Sequence, residues 1–355
     1  MYEPRAVSAA VHRYALPLSD ASAAGGSGAS REGALLELRD EAGNVGWGEA
    51  APLPGFSREG VDEAVIRLAA LTGPEAPDGL PEEPYPSVRY ALELARSNLS
   101  AAASGSLAAL PHLLSPAPRE TVELNALISS DPESAPGEAR WLRGAGYRAV
   151  KLKVGRRPVD EDAALVRRIA GELGDVSLRL DANRAWSLEE ALVFARGVAG
   201  EEVEYVEEPL ADPALLPRFA AESGLPVALD ESLAGMPAAA LADHGYAAAV
   251  VLKPTLLGGL SRCVALAARA DDLGMKAVVS SAFESGVGTL GLVALAAALP
   301  GHSPGQPAGL DTYRRLGADV LSPPLTLGPV LDVAELLGAE RELDPRHLGI
   351  AERLG

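Results

Sequence analysis

The chain has 355 residues, 48% hydrophobic and 23% charged, which is typical of a globular protein with one large domain or two ordinary ones. Its net charge of −18 argues against nucleic-acid binding, and we interpret it as an acidic surface that favours solubility. The sequence predicts neither a membrane-spanning segment nor a signal peptide, so the cytoplasm is the default location. The single cysteine, Cys263, excludes a disulfide framework and is expected in the core.

The first 118 residues are predicted to form an α+β region. Residues 35–53 have the pattern of two strands joined by a turn at 42–44. Residues 20–31 are rich in glycine, serine and alanine. They form either a linker-like loop or a mobile lid over a site, and the sequence favours neither.

From about residue 120 the sequence alternates between short apolar, β-branched runs and amphipathic helical stretches. The runs recur every 23–27 residues, beginning at 122, 149, 176, 203, 226, 249 and 276. One strand and one helix in each repeat is typical of βα units with a parallel sheet. With a short eighth strand near residue 308, these units predict a TIM-type α/β barrel over 119–322. A doubly wound open sheet is the alternative.

Ionisable residues follow five consecutive predicted strands, at the ends where a barrel of this kind carries its active site. In chain order they are Lys151 and Lys153, Asp181, Glu207 or Glu208, Asp230, and Lys253. One such charge often only caps a strand, but a buried charge needs a partner or a metal ion, and here the pattern is repeated. Three carboxylates from adjacent strands suit Mg²⁺, which prefers oxygen ligands. The five histidines lie elsewhere, which disfavours zinc or iron.

Lysine is rare in this chain, with four residues among 31 lysines and arginines. Lys151 and Lys153 share one face of a strand because side chains alternate. A lysine near other cations can lose its proton and act as a base, whereas arginine stays protonated. We therefore interpret Lys151, Lys153 and Lys253 as catalytic, and Lys276 as structural. Together the groups predict removal of a proton α to a carboxylate, with Mg²⁺ stabilising the enediolate.

The order of these motifs resembles the enolase superfamily, in its branch with paired lysines. The motifs are KLK at 151–153, DAN at 181–183, EEP at 207–209, DES at 230–232 and KPT at 253–255. GWGEAAPLPGFS (46–57), VVSSAFESGVG (278–288) and GLDT (309–312) extend the resemblance, within the superfamily, to the o-succinylbenzoate synthases. The resemblance implies a modified TIM barrel, (β/α)7β, at 119–322. It also implies an α+β capping domain built from 1–118 and 323–355.

The resemblance further implies a hydro-lyase that needs Mg²⁺, or another divalent ion such as Mn²⁺. Such an enzyme would convert 2-succinyl-6-hydroxy-2,4-cyclohexadiene-1-carboxylate to o-succinylbenzoate in menaquinone biosynthesis. Asp181, Glu207 and Asp230 would bind the metal ion. Glu207 is chosen over Glu208 because the first glutamate of the EEP motif is the ligand in the family.

The same resemblance implies roles for the basic residues. Lys153 would take the α-proton and then deliver a proton to the leaving hydroxyl. Lys151 would hold positive charge near the substrate carboxylate, and Lys253 would lie against the delocalised ring anion. Arg179 would border the substrate, although an ion pair within the barrel is an equally simple interpretation of this residue.

The resemblance also implies roles for four further residues and for one segment of the cap. Ser280 and Gly309 would contact the succinyl arm of the substrate, and Asn183 would assist the metal shell. Glu208 would point away from the metal ion and make a supporting pair. Residues 48–56 would either face the site from the cap or simply form a proline-rich turn.

Three other functions compete with this one. Racemisation of N-succinylamino acids or epimerisation of dipeptides would use Lys153 and Lys253 as opposed acid and base. A non-catalytic binding barrel would have an eroded site, yet every expected ligand and lysine is present. A phosphate-handling barrel is disfavoured because residues 253–260 lack the spacing of a phosphate-binding loop. The expected partner is a small-molecule substrate, and the sequence does not predict the oligomeric state.

Overall fold

The protein is described by a computed structural model that covers residues 6–19, 30–72, 85–299 and 306–349, and the backbone of 352–354. Its first sheet is antiparallel, in the order β15 (Glu352–Leu354), β1 (Ala6–Pro17), β2 (Ser30–Asp40) and β3 (Val45–Ala50). The predicted turn joins β2 to β3, so this expectation is confirmed. The predicted linker or lid at 20–31 lies outside the described residues, except where β2 begins.

Two helices cover this sheet, α1 (Val61–Thr72) and α2 (Pro86–Ala103). We call the sheet and these helices the cap. Strand β3 approaches α2 so closely that a Cβ atom at Gly48 would lie 1.9 Å from the Ala91 carbonyl oxygen. Glycine at this position therefore permits the packing of helix on strand. A short helix, α3 (Leu110–Leu114), leads from the cap to β4 (Thr121–Glu123).

Seven parallel strands follow and pair with one another in chain order. They are β5 (Asn125–Leu127), β6 (Ala149–Lys153), β7 (Ser177–Asp181), β8 (Val203–Glu207), β9 (Val227–Leu229), β10 (Ala247–Leu252) and β11 (Lys276–Val279). Parallel bridges join Gly309 to Ser280 after β11, and Ala308 to Leu124 before β5. Residues 308–309 therefore close the sheet as the predicted short eighth strand. The α/β barrel is confirmed, and the open sheet is excluded.

Helices connect successive strands of the barrel. They are α4 (Ala135–Gly144), α5 (Val159–Leu173), α6 (Leu188–Gly197), α7 (Leu216–Ser223), α8 (Pro254–Leu257), α9 (Leu260–Asp272) and α10 (Gly286–Ala298). Between β9 and β10 the chain forms a 3₁₀ helix, Ala238–His244, in place of an α-helix. All residues of α10 are buried, which fits a helix that is apolar on every side.

The chain after the barrel returns to earlier parts of the molecule. Its elements are β12 (Leu321–Ser322), β13 (Val330–Asp332), α11 (Val333–Gly338) and β14 (Glu342–Leu343), followed by β15. Strand β12 pairs with β14, β13 pairs with β4, and β15 pairs with β1 in the cap. The domain boundaries at 118 and 322 stay predictions.

A buried carboxylate joins the cap to the barrel. Glu49 at the end of β3 accepts hydrogen bonds from the Tyr14 hydroxyl at 2.5 Å and from Gly288 N at 2.7 Å. Ser285 donates two more, from N at 2.8 Å and from Oγ at 2.6 Å. Because Ser285 and Gly288 begin α10, Glu49 holds the N-terminus of a barrel helix against the cap sheet.

Three smaller expectations concern the core, one lysine and the membrane. Cys263 is buried in α9, which confirms it as a core residue. Lys276 begins β11, and its Nζ lies 2.7 Å from Glu204 Oε1 in an ion pair at the start of the strands. No helix in the described ranges has the length and apolarity needed to cross a membrane.

Candidate active site

Strand pairing brings predicted site residues into one row at the carboxyl ends of the strands. In the parallel register, Lys153 lies opposite Asp181, and Asp181 lies opposite Glu207. Asp230 directly follows β9, and Lys253 directly follows β10. Adjacent parallel strands present side chains at matching heights, so these residues meet at one end of the barrel.

Ammonium and carboxylate groups alternate along this end of the barrel. Lys153 Nζ lies 2.7 Å from Asp181 Oδ2. Lys151 Nζ bridges two acids, at 2.8 Å from Asp181 Oδ2 and 2.6 Å from Glu207 Oε2. These contacts join three adjacent strands through charged side chains.

The same alternation continues onto the next two strands. Lys253 Nζ contacts Asp230 Oδ2 and lies 3.8 Å from Glu207 Oε1. We call these three lysines and three carboxylates the lysine–carboxylate row. Its carboxylates are almost fully buried, whereas the side chain of Lys153 is 29% exposed, compared with 12% for Lys151 and for Lys253. Lys153 is therefore the lysine of the row that solvent or a substrate reaches most easily.

The three lysines differ in their electrostatic environment. Burial is the main cause that lowers the pKa of Lys153, and together with the positive charges of Lys151 and Lys253 it outweighs the opposing effect of Asp181. Burial also acts to lower the pKa values of Lys151 and Lys253, but neighbouring carboxylates outweigh it and raise both. Lys153 is thus the lysine best suited to accept a proton, and the other two remain cations.

The carboxylates of the row are also perturbed. Burial acts to raise the pKa of Asp181, but the nearby lysines outweigh it and hold the pKa well below its usual range. Burial and the charge of Asp181 raise the pKa of Glu207 to about 7, and burial raises that of Asp230. Additional positive charge between these groups would stabilise all three in the ionised form.

The lysine–carboxylate row contains the type of ligand atom that divalent cations prefer. Asp181, Glu207 and Asp230 present carboxylate oxygens from adjacent strands, the ligand type that Mg²⁺ prefers. Glu207 Oε1 is buried and has no hydrogen-bond partner among the residues that the structure describes, a situation that a cation would relieve. Among the described residues, no three acidic, histidine or cysteine side chains are grouped to hold a metal ion as they stand. Lys151 and Lys253 bridge the acids instead, so metal binding would require these ammonium groups to shift.

Glu208 points away from its neighbour Glu207 and away from the row. Its carboxylate forms an ion pair with Arg184 at 3.0 Å. The same carboxylate accepts hydrogen bonds from Ser232 N at 2.7 Å and from Asp230 N at 3.0 Å. Glu208 therefore fixes the loop that carries Asp230, and its predicted supporting role fits these contacts.

Asn183 lies beside Lys153. Its Oδ1 accepts a hydrogen bond from Lys153 Nζ at 2.5 Å, and its backbone N donates to Asp181 Oδ1 at 3.1 Å. The backbone of Asn183 has a φ of 43°, in the left-handed region that few residues other than glycine adopt. The predicted role of Asn183 in the metal shell stays a prediction.

Arg179 is fully buried and lies below the row, toward the start of the strands. Its Nε lies 2.7 Å from Glu204 Oε2, and its guanidinium also donates to Asn125 Oδ1 and to the Pro307 carbonyl. These contacts agree with one of the two interpretations from the sequence, in which Arg179 forms an ion pair within the barrel. The alternative, in which Arg179 borders the substrate, has no contact among these to support it.

Ser280 and Gly309 lie where the barrel closes. Ser280 follows β11, and its Oγ donates to the Gly309 carbonyl oxygen at 3.2 Å. A Cβ atom at Gly309 would lie 2.8 Å from Ser280 Oγ, so the close approach favours glycine. Both residues are at the carboxyl end of the sheet, and their contacts with a succinyl arm stay predictions.

The cap segment after β3 reaches the loops at this end of the barrel. Leu53 packs in a small buried cluster with Ala282 and Phe283, which follow β11. Arg31 ties the same parts together by donating hydrogen bonds to the carbonyl oxygens of Pro52 at 2.7 Å and Phe283 at 3.1 Å. Of the two interpretations of residues 48–56, these contacts favour a segment that faces the site.

One acidic residue beside the row is absent from the sequence-based predictions. Glu231 directly follows Asp230, and its Oε1 accepts a hydrogen bond from Asn183 Nδ2 at 3.2 Å. Its Oε2 is buried without a hydrogen-bond partner among the described residues. A doubled acid after a strand, as in the EEP motif, is the sequence signal that could have identified it.

A closed (β/α)7β barrel with a cap and this row of lysines and carboxylates is the architecture of an enolase-superfamily enzyme. The family model described as "Enolase C-terminal domain-like" matches residues 136–328, and the model described as "MenC, N-terminal domain" matches residues 6–99. Enzymes of this superfamily generally depend on a divalent metal ion and act on small-molecule substrates.

The chain belongs to the o-succinylbenzoate synthase family. It is 34% identical to the o-succinylbenzoate synthase of Haemophilus influenzae, over 82% of this chain and 85% of that protein. It is also 34% identical to the enzyme of that name from Edwardsiella ictaluri, over 88% of this chain and 92% of that protein. Among solved structures, an N-succinyl Arg/Lys racemase from Bacillus cereus has a TM-score of 0.82 at 20% identity, covering 98% of this chain and 100% of the other. That last likeness concerns the fold alone.

Proposed function

We propose that this protein is an o-succinylbenzoate synthase of menaquinone biosynthesis. The substrate would be 2-succinyl-6-hydroxy-2,4-cyclohexadiene-1-carboxylate, and the products o-succinylbenzoate and water. The curated relatives support this assignment through their names and through matches along most of both chains. We also propose a cytoplasmic location for the reaction.

The observation that carries the mechanism is the alternation of lysines and carboxylates across the ends of adjacent strands. Lys153 is the least buried lysine of the row and the one whose pKa is lowered, so we assign it as the base. Its Nζ takes the proton from the carbon next to the substrate carboxylate, and the C–H bond breaks. Protonated Lys153 then gives that proton to the departing hydroxyl as the C–O bond breaks, so the hydroxyl leaves as water.

The other two lysines have a different role from Lys153 in this proposal. Lys151 and Lys253 stay protonated because the carboxylates around them raise their pKa values. Lys151 would stabilise the charge on the substrate carboxylate, and Lys253 would stabilise the anion that spreads into the ring. Fixed positive groups in a buried site stabilise developing negative charge more strongly than the same groups in water.

Asp181, Glu207 and Asp230 would hold the metal ion, which we propose to be Mg²⁺, with Mn²⁺ as a substitute. When bound, the ion supplies positive charge to the substrate carboxylate next to the reacting carbon. The buried oxygen Glu207 Oε1, which has no hydrogen-bond partner in the described part of the chain, supports this assignment. The three carboxylates differ from a zinc site, which usually contains histidine or cysteine.

Dehydration measured with and without a chelator tests the proposal. We expect turnover of the cyclohexadiene substrate with Mg²⁺, loss of turnover with EDTA, and recovery when Mg²⁺ is returned in excess. Turnover that survives EDTA would refute the metal assignment. A folded protein that fails to dehydrate the substrate at any Mg²⁺ concentration would refute the activity itself.

Racemisation of N-succinylamino acids is the second candidate, because the solved racemase shares the fold. A racemase of this kind uses Lys153 and Lys253 in turn as base and acid. The names of the curated relatives, which match at 34% identity along most of both chains, favour dehydration. Incubation of N-succinylamino acids in D₂O separates the two, because racemisation introduces deuterium at the α-carbon. Racemisation faster than dehydration would overturn our choice.

A further inference from the structure

The base proposed above, Lys153, has two hydrogen-bond acceptors. One is Asp181 Oδ2 at 2.7 Å, and the other is Asn183 Oδ1 at 2.5 Å. A neutral lysine amine has two N–H bonds and one lone pair. When both N–H bonds are engaged by fixed acceptors, the lone pair must point in the remaining direction. The geometry around Lys153 therefore determines where it can receive a proton.

Asn183 can serve as an acceptor only if its amide is turned the right way. A side-chain amide has an oxygen at one end and an NH₂ group at the other, and its partners decide the orientation. Asn183 Nδ2 donates to Glu231 Oε1 at 3.2 Å. Because Glu231 Oε1 accepts this hydrogen bond, the NH₂ end of the amide faces Glu231 and the oxygen end faces Lys153.

Two unfavourable features accompany this arrangement. Asn183 has a φ of 43°, in the left-handed region, which asparagine adopts more often than most residues with a side chain but which still costs free energy. Glu231 Oε2 is buried and no described residue forms a hydrogen bond with it, which costs free energy relative to a solvated carboxyl group. Strained backbone and unsatisfied polar atoms are concentrated at functional sites, where the surrounding structure maintains them.

We propose that Glu231 is a positioning residue, which acts through Asn183 to aim the lone pair of Lys153 at the substrate. This inference rests on the proposed function, because the reaction needs Lys153 as its base. Glu231 does not contact the reacting atoms in this scheme. Its contribution is the orientation of one amide, and it is separate from the predicted metal role of its neighbour Asp230.

Two substitutions of Glu231 separate this role from a role of its charge. Glu231→Gln keeps an oxygen that can accept from Asn183 Nδ2, whereas Glu231→Ala removes the acceptor. We expect Glu231→Ala to lower kcat by about 10- to 100-fold with little change in KM, the pattern of an interaction needed in the transition state. Glu231→Gln should keep kcat within about threefold of the wild type, because the acceptor is retained. Equal losses in both variants would overturn the proposal.

Coupling to Asn183 supplies a second test. If Glu231 acts through Asn183, Glu231→Ala should cause no further loss of kcat in an Asn183→Ala background. The Mg²⁺ concentration that gives half-maximal activity should be the same in Glu231→Ala as in the wild type. Additive losses, or a large rise in that Mg²⁺ concentration, would assign Glu231 to another role.

A measurement without substrate or metal keeps this inference distinguishable from the proposed function. Amine labelling with trinitrobenzenesulfonate, followed by mass spectrometry, reports Lys153 separately, with the exposed Lys276 as an internal control. In metal-free protein, release of one hydrogen bond in Glu231→Ala or Asn183→Ala should raise labelling of Lys153 about fivefold and leave Lys276 unchanged. Unchanged labelling of Lys153 in both variants would refute the link, even if the protein proves to be an active dehydratase. If labelling rises but the wild type does not dehydrate the substrate, the proposed function fails and the link stands.

Discussion

The chain buries carboxylates in two regions, and their partners differ. In the lysine–carboxylate row, every carboxylate lies against at least one ammonium group. At the junction of the cap with α10, Glu49 and Glu284 are equally buried. The hydrogen bonds described for these two come from hydroxyls and backbone N–H groups, including Thr255 Oγ1 to Glu284 Oε1 at 2.6 Å.

The difference in partners matches a difference in task. An ammonium group on a long, flexible side chain can move aside when a cation or substrate enters, whereas a backbone N–H cannot. Within the row, nearby lysines hold the pKa of Asp181 low against the effect of burial, whereas the pKa values of Glu207 and Asp230 are raised. Burial raises the pKa values of Glu49 and Glu284, because their neutral donors compensate for it only in part. The row is suited to exchanging partners during a reaction, and the junction is suited to fixing geometry.

The largest effect should come from the base of the row. Lys153→Ala should lower kcat about 10³-fold, because general base catalysis is lost, while the fold is retained. Lys276→Ala is the matched control, since Lys276 pairs with Glu204 far from the row and should leave kcat unchanged. Steady-state dehydration assays on both variants test this, and a Lys153→Ala variant with wild-type kcat would remove the basis of the mechanism.

The next effect concerns the metal ion. Glu207→Gln should weaken Mg²⁺ binding by at least about 100-fold. Substitution of residues that only contact the ligands of a metal ion already lowers metal affinity about 10- to 100-fold in many proteins. Titration of Mg²⁺ into the metal-free protein by calorimetry measures this without substrate. Glu49→Gln, at the other buried carboxylate, should leave Mg²⁺ affinity unchanged. Equal affinities in all three proteins would show that the row does not bind the ion.

A smaller effect, on stability, is expected at the junction. In Glu49→Gln, the new NH₂ group would face either Gly288 N with Ser285 Oγ, or Ser285 N with the Tyr14 hydroxyl. Buried donors would then lack an acceptor, at a cost of about 1–3 kcal/mol in the free energy of unfolding. Denaturant unfolding measures this loss, and kcat well below the thermal midpoint should stay near the wild-type value. A variant as stable as the wild type would contradict the role given to Glu49.

The smallest effect is a pH dependence of the difference in unfolding free energy between the wild type and Glu49→Gln. The pKa of Glu49 in the folded protein is raised by burial above its usual value of 4.5. The unfolded chain therefore loses this proton first as the pH rises, and the folded state loses stability until the pH passes the raised pKa. The stability of the wild type minus that of Glu49→Gln should accordingly fall as the pH rises above about 4.5, and then level off. A difference that is constant with pH, or that grows, would show that the pKa is not raised.

Much of the barrel and the content of the row could be predicted from the sequence. Apolar runs at regular spacing predict the strands, and the sequence places ionisable residues at the ends of five consecutive strands. Residues 308–309 were also predicted, because a parallel barrel of seven strands needs one more strand to close. These features depend on local pattern and on the geometry shared by all parallel barrels.

Other features depend on the path of single side chains and could not be predicted. For Arg179 the sequence left two interpretations open, and only the structure shows that its long side chain turns toward Glu204 at the start of the strands. The orientation of the Asn183 amide depends on the left-handed backbone of Asn183 and on its hydrogen bond to Glu231. The spacing of apolar residues in the sequence indicates neither feature. Glu49 looks like an exposed strand residue until α10, more than 200 residues later, is placed against it.

The pairing of β15 with β1 has a consequence for synthesis of the protein on the ribosome. Strand β1 emerges early, but its outer neighbour is translated more than 300 residues later. Until then one edge of the cap sheet has no partner and exposes backbone groups that could pair with another nascent chain. Chaperones that shield this edge, or a pace of translation that shortens the delay, should therefore raise the yield of native protein.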